Sequence, residues 1–410
     1  MRRVKYLLIG GGAASVSAAS QIRKMDTEGE ITIVGDEVHL GYNRVLLPYY
    51  LKEEMPKDRL FLKKEEFYRT NNIDFITGRK VVAVDFKERR AKLDDGSQIG
   101  YERLLIATGG NPVKLNLPGA SLEGVYNLYT IDDTEAIIRR AKETKIKAGA
   151  VLGGSYIAIE LIHGFIKHGL RTIVLLRGGH IFRAILDPVS ASIIERRLIE
   201  NGVEIRRNEV IAQIWGDGEV KGVVTTRGDR IECGLVGIGI GIARNVEFIR
   251  EGPEINRGII TDEYLETRIP GVYAAGDVAE FWDMVLNRRL IMGNFDNASA
   301  QGTAVGKVMA GGREPFIRVS SYSIMVFGLP LATIGDITNP PGTEVVLRGD
   351  PNEGELAQLF LRDGRIVGAT LVGQMRDAPA IKNLIMSKTD ISGAKEALVA
   401  RGFKLKDLLS

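Results

Sequence analysis

The sequence predicts an α/β protein: two Rossmann-like, three-layer dinucleotide-binding domains, then a C-terminal α+β domain with an antiparallel sheet. Three observations predict it. The glycine-rich segment Gly10-Gly11-Gly12-Ala13-Ala14-Ser15 returns in near-copy as Gly153-Gly154-Ser155-Tyr156-Ile157-Ala158. Each copy follows a short apolar run (residues 6–9 and 148–152), opens an apolar helix-like segment, and leads about 20 residues later into a β-branched strand, the spacing of a dinucleotide-binding βαβ unit. From about Glu314 the texture changes to short strand-like runs with no third glycine fingerprint.

The elements follow in order. Residues 1–34 read strand, helix, strand. Further strands are expected at 73–76 and 80–84, then a hairpin over 90–99 turning at Asp95-Gly96. Residues 104–110 form a buried strand ending in Ala107-Thr108-Gly109, and a helix spans 130–145. Residues 149–245 repeat the plan, with hairpin turns signalled at Asp217-Gly218 and Gly228-Asp229 and a strand ending near Gly239. Residues 272–279 are expected to be a strand running into a helix. Strands at 323–327, 344–347, 356–361 and 366–369 make the antiparallel sheet, and helices near 378–388 and 393–401 close the chain.

In the first fingerprint, Gly10 permits the tight turn from strand to helix, and Gly12 lets the backbone approach a pyrophosphate. The helix N-terminus at Ala13 and Ala14 then offers free N–H groups and partial positive charge to phosphate. In the second, Gly153 makes the turn. Ser155 replaces the middle glycine and either crowds the pyrophosphate or donates to it. Two such units in one chain imply two dinucleotides bound together, a flavin and a nicotinamide exchanging a hydride.

Composition excludes several classes. The net charge is +3, and no basic block interleaves with aromatics, so no nucleic-acid partner is expected. No apolar run reaches spanning length, and the first residues lead straight into a strand, so no membrane association and a cytoplasmic location are expected. Four histidines and one cysteine make no metal-ligand cluster, and the lone Cys233 excludes an internal disulfide or a CxxC pair.

Five ordered motifs, Gly10 to Ser15, Tyr42-Asn43-Arg44-Val45-Leu46-Leu47, Ile106-Ala107-Thr108-Gly109, Gly153 to Glu160 and Tyr273 to Val278, carry a family resemblance. The chain resembles the FAD-dependent pyridine nucleotide–disulfide oxidoreductase superfamily over nearly its whole length. It is most like the branch of rubredoxin and ferredoxin reductases and the nitrite reductase flavin domain. The resemblance implies an FAD domain from residues 1–112 and 246–312, an NAD(P) domain at 113–245, and a C-terminal interface or dimerisation domain at 313–410.

A carboxylate at Asp36 or Glu37, ending the second strand, can accept both hydroxyls of the FAD adenosine ribose. The resemblance places Arg44 at the pyrophosphate, where a guanidinium fork suits phosphate, and has the backbone of Val82 meet the adenine. Ala107, Thr108, Gly109, Gly239 and Gly276 join the cofactor-binding set. Asp277 can accept from a ribityl hydroxyl, and Val278 is expected to start a helix whose N-terminus steadies negative charge on the reduced flavin. Tyr156 is expected to cover the nicotinamide, beside Ile157, and Glu160 to approach nicotinamide or flavin. Related electron-transfer branches place a lysine shortly after the arginine matching Arg44; here that position is Tyr49. At the end of the strand over 172–175 stands Arg177, with Arg183 beyond it and His180 a weaker candidate. A cation there favours a 2′-phosphate, so NADP(H) is modestly favoured over NAD(H).

Disulfide reductases of the superfamily carry redox cysteines in the segment matching residues 43–50, and this chain has none there. Electrons are therefore expected to pass to or from a one-electron protein carrier, such as rubredoxin, ferredoxin or an iron–sulfur subunit. The chain is expected to form a homodimer or to be a subunit of a larger redox complex. Two other readings stand beside this one: an NAD(P)H oxidase reducing oxygen or another small molecule, and a redox signalling protein like apoptosis-inducing factor.

Overall fold

The structure, a computed structural model, describes residues 2–400 and 402–409. Its chain divides into two compact units: Met1–Val45, Lys57–Asn111 and Ala243–Ser320 form the first, and Leu46–Pro56, Pro112–Ile242 and Ser321–Ser410 the second.

The first unit is organised by a seven-stranded sheet. Its strands run in the order Ile73–Ile76, Ile31–Val34, Arg2–Ile9, Gln98–Ile106, Arg90–Leu93, Val81–Asp85, and Val272–Ala274 also pairs with Gln98–Ile106. The strands around Arg2–Ile9 are parallel, and Tyr6–Ile9 and Ile31–Val34 at the sheet's centre are buried on both faces. Gln98–Ile106 serves three neighbours: Arg2–Ile9 and Val272–Ala274 in parallel, and Arg90–Leu93 antiparallel through the Gly96 turn. Over the sheet, helix Ala13–Met25 packs on helix Phe295–Met309. A Cβ on Gly302 would lie 2.2 Å from the Ala14 carbonyl oxygen, and one on Gly306 2.7 Å from that of Ala18. Glycine at both positions is what lets the helices meet backbone to backbone.

In the second unit, five parallel strands run in the order Val203–Arg207, Arg171–Leu176, Ala148–Leu152, Leu235–Ile238, Val125–Tyr126. Helix Ile131–Glu143 starts at a capping box in which the Thr130 hydroxyl accepts from the Asp133 N–H and the Asp133 carboxylate from the Thr130 N–H. The expected hairpin is a three-stranded sheet of Ile211–Asp217, Glu219–Thr225 and Arg230–Glu232. The C-terminal antiparallel sheet has five strands, ordered Ser321–Val326, Leu329–Gly335, Arg365–Val372, Glu355–Arg362, Glu344–Asp350.

The fold class read from the sequence is the observed one. Three local readings are corrected. No helix follows Val278: it ends a single 3-10 turn, Gly276–Val278, and the chain continues as strand Ala279–Asp283. The alternation of Ala279-Glu280-Phe281, all buried in the sheet region, outweighs helix propensity there. Strand Leu329–Gly335 was not anticipated, because Gly328 and Pro330 read as punctuation; Gly328 makes the hairpin turn with φ 81°. The last expected helix is a 3-10 turn, Ser392–Ala394, followed by the single turn Lys395–Leu398; its expected end, residue 401, lies outside the described residues.

Candidate functional site

Both glycine fingerprints make a tight strand-to-helix turn. Gly10 has φ 110°, and a Cβ there would lie 2.2 Å from the Ala107 carbonyl oxygen, so the turn packs directly on the end of the neighbouring strand. Gly12, the N-cap of helix Ala13–Met25, has nothing within 4 Å of where its Cβ would be. Gly153 has φ 122°, and its Cβ would lie 2.2 Å from the Gly239 carbonyl oxygen. No side chain caps helix Ala13–Met25 or helix Tyr156–Lys167, in contrast to the helices capped by Thr130, Asp187 and Asn294. The first-turn N–H groups are left for an external anion. The Ser155 hydroxyl donates to the Gly239 carbonyl at 2.9 Å.

Around the first fingerprint, Glu37, Tyr42 and Arg44 form one cluster. The Tyr42 hydroxyl donates to Glu37 Oε2 at 2.6 Å, Arg44 Nη1 donates to that hydroxyl at 3.0 Å, and Arg44 Nη2 pairs with Glu37 Oε1. Asp36 is exposed beside it. Val82 falls in a register shift of the edge strand, between Val81 and Ala83, which takes it out of the ladder. Thr108 and Asn245 lock two crossing segments together: the Thr108 hydroxyl donates to the Asn245 carbonyl at 2.7 Å, and Asn245 Nδ2 donates to the Thr108 carbonyl at 3.1 Å. Gly276, with φ 79°, donates its N–H to Gln301 Oε1 at 2.7 Å.

The Asp277 carboxylate accepts no hydrogen bond among the described residues. Burial raises its pKa, opposed by the charges of Arg244 and Arg44. Arg244 was missed by sequence reasoning. Its Nε donates to the Asp277 carbonyl at 2.9 Å, a pairing across 33 residues that no local pattern signals. An uncapped helix N-terminus, a glycine turn that a Cβ would fill, and a half-buried carboxylate that accepts no hydrogen bond among the described residues fit the phosphates and ribityl hydroxyls of FAD. With Val278 in a 3-10 turn, no helix dipole is aimed from that position.

In the second unit, Tyr156 is the first residue of its helix. Its ring packs against Phe182 at 5.1 Å and Tyr322 at 4.3 Å between centroids, and its hydroxyl reaches Thr333 at 3.5 Å. Burial pushes its phenol up to about 12. Glu160, one turn on, is pushed by burial up to about 8, with the Lys52 charge opposing the rise. His163, a further turn on, is pushed by burial down to about 4, and its Nε2 accepts the Phe327 N–H at 3.4 Å. Tyr49 is exposed, with the Lys52 ammonium 4.6 Å from its ring centroid. The cation that acts on Glu160 is therefore Lys52, three residues after the position examined in the sequence. Ile157 follows Tyr156 in the same helix. Arg177 and Arg183 are both exposed beyond strand Arg171–Leu176. A Cβ at Gly178 would meet Arg183 Cδ at 3.0 Å, so glycine lets Arg183 fold back over that loop.

Cys233 is fully buried in the core beneath the three-stranded sheet, and burial pushes its thiol up to about 12. It is no thiolate nucleophile. Among the described residues no group of His, Cys, Asp and Glu could hold a metal, and no helix is long and apolar enough to cross a membrane.

Two dinucleotide-type folds in one chain, each with an uncapped phosphate-facing turn, define a two-nucleotide redox protein. A family described as pyridine nucleotide-disulphide oxidoreductase matches residues 4–302, and the rubredoxin NAD+ reductase C-terminal domain matches residues 321–389. The chain belongs to the pyridine nucleotide-disulphide oxidoreductase family. It is 30% identical over 397 residues to nitrite reductase [NAD(P)H] of Bacillus subtilis, covering 96% of this chain and 48% of that protein, so it spans about half that relative's length. It is 30% identical to the ferredoxin reductase component of chlorobenzene dioxygenase from Cupriavidus sp., covering 95% of this chain and 94% of that one. Among solved structures it is similar to the ferredoxin reductase for the CYP199A2 system from Rhodopseudomonas palustris. That match has a TM-score of 0.89 at 26% identity, over 99% of this chain and 100% of that one.

Proposed function

We propose that this protein is an FAD-dependent NAD(P)H oxidoreductase that passes electrons to or from a one-electron protein carrier, a rubredoxin, a ferredoxin or an iron–sulfur subunit. The observation that carries the reading is the pairing of two nucleotide-type folds with a chain whose one thiol is buried and protonated. With no internal sulfur relay, electrons leave by docking. The relatives named as ferredoxin reductase and nitrite reductase support the same direction.

FAD, when bound, takes two electrons as a hydride and releases them singly. The residues supply binding and orientation. Gly10, Gly12, Ala13 and Ala14 hold the FAD pyrophosphate with Arg44. Glu37, with Asp36 beside it, takes the adenosine ribose, and Val82 the adenine. Ala107, Thr108 and Gly109 form the floor of the turn, and Asp277 takes a ribityl hydroxyl. Gly153, Tyr156 and Ile157 receive the nicotinamide dinucleotide, with Gly239 and Ser155 fastened together beneath the turn. Glu160, held neutral by burial, keeps a buried negative charge out of the nicotinamide pocket of its own unit. Arg177 and Arg183 bind a 2′-phosphate, which favours NADP(H). The C-terminal residues from 313 serve as an interface, for a second copy or another subunit.

The test is direct. The purified protein is expected to be yellow and to bleach anaerobically with NADPH, less readily with NADH, and to reduce a rubredoxin or ferredoxin faster than oxygen. FAD-loaded protein that bleaches with neither nucleotide refutes the hydride exchange. Rapid turnover with oxygen and none with any iron–sulfur protein refutes the carrier.

A further inference from the structure

Arg244 closes strand Ile242–Arg244 and is half-buried. Its Nε is committed to the Asp277 carbonyl at 2.9 Å. Among the described residues its two Nη nitrogens donate to nothing. A partly desolvated guanidinium with an unused fork needs an acceptor, and the fork matches the two oxygens of a phosphate. The neighbouring group is the orphaned carboxylate of Asp277, in a turn shaped by Gly276 and braced by Gln301. Gly293 leaves the other side of that carboxylate open: a Cβ there would sit 3.5 Å from it. The next residue, Asn245, is clamped to Thr108 through two hydrogen bonds and to the Gly109 carbonyl through its own N–H at 3.0 Å. The backbone that carries Arg244 is therefore held against the turn over Gly10.

We infer that Arg244 is a second arginine of the FAD site, its Nη fork taking the pyrophosphate–ribityl segment from the side opposite Arg44. This rests on the FAD reading above. A guanidinium tied to Asp277 by its Nε keeps the fork pre-oriented, so binding loses little side-chain freedom. The charges of Arg244 and Arg44 also both act on Asp277, where they oppose the rise that burial causes. Two guanidinium charges thus act on this turn, where a dianionic pyrophosphate would bind.

The experiment measures FAD release from the purified protein by recovery of flavin fluorescence, across a series of salt concentrations, for wild type, Arg244→Gln and Arg244→Lys. Arg244→Gln is expected to weaken FAD binding roughly 10- to 100-fold, the range for a hydrogen bond to a charged group, and to flatten the salt dependence. Arg244→Lys, which keeps charge but not the fork, is expected to recover part of the affinity. Melting of the FAD-free variants is expected within about 3 °C of wild type. Unchanged FAD affinity and salt dependence in Arg244→Gln overturns the assignment. So does a larger melting loss in both FAD-free variants without rescue by lysine, which makes Arg244 a strand fastener only. Wild-type protein that binds no FAD at all removes the underlying reading instead.

Discussion

Glu160→Gln should change how stability depends on pH, and the structure gives both the window and the sign. Burial holds the Glu160 carboxyl near 8 in the folded protein, against an ordinary 4.5. Between those values the folded chain carries one more proton than the unfolded chain, so Glu160's contribution is complete below about 4.5 and is lost as pH rises through 8. His163, one turn away, has the opposite effect. Burial lowers it to about 4 from 6.5, the folded chain then holds one proton fewer, and stability rises with pH across that interval. The two slopes nearly cancel between about 4.5 and 6.5. Above 6.5 Glu160 acts alone at about 1.4 kcal/mol per pH unit, or about 2 kcal/mol by pH 8. Urea unfolding of FAD-free protein at steps from pH 5 to 8.5 measures this. Wild type is expected to lose about 2 kcal/mol relative to Glu160→Gln between pH 6.5 and 8, and the variant should show a rising limb from His163 below 6.5. Parallel curves for the two proteins refute a raised Glu160 pKa and, with it, the neutral acid proposed beside Tyr156.

The glycine turns separate the two nucleotides: Gly10→Ala drives a Cβ to 2.2 Å from a backbone oxygen and is expected to abolish FAD retention, read as loss of yellow colour. Gly153→Ala, which meets the same 2.2 Å clash at Gly239, should leave the colour and raise KM for the nicotinamide at least about 10-fold, since a backbone clash of this kind costs more than ordinary substitutions. Arg177→Glu should lower kcat/KM for NADPH roughly 10-fold or more while leaving NADH nearly unaffected, from the loss of a phosphate contact; equal losses count against the 2′-phosphate site. Native protein should resist an aromatic disulfide reagent until denaturant exposes Cys233, and Cys233→Ala should keep carrier reduction within about twofold; rapid native labelling would contradict its burial.

The two glycine turns were legible because each lies in a short contiguous motif. A strand, a glycine turn and a helix are neighbours in the chain, so Gly10 with Gly12 and Gly153 with Ser155 announce their own geometry. The Ser155 question stayed open because its answer is an oxygen 84 residues away, the Gly239 carbonyl. Val278 was misread because a strand end followed by Gly-Asp-Val suits a helix start as well as a 3-10 turn into another strand. Lys52 and Arg244 were invisible for one shared reason: each acts on a carboxylate distant in sequence, and a lone cation at the end of a short element carries no periodic signal.

The repeated βαβ pattern, the absence of thiols at residues 43–50 and the composition were determined by the sequence alone, because helices, strands and glycine turns are local responses to side-chain spacing. Only the tertiary structure decided which charges meet. The pKa of Glu160 depends on the packing of its helix and on Lys52, and the orphaned carboxylate of Asp277 on the strand that brings Arg244 to its backbone. Burial and Coulomb interaction depend on distance in space, and distance in space is set by how the sheets and helices pack.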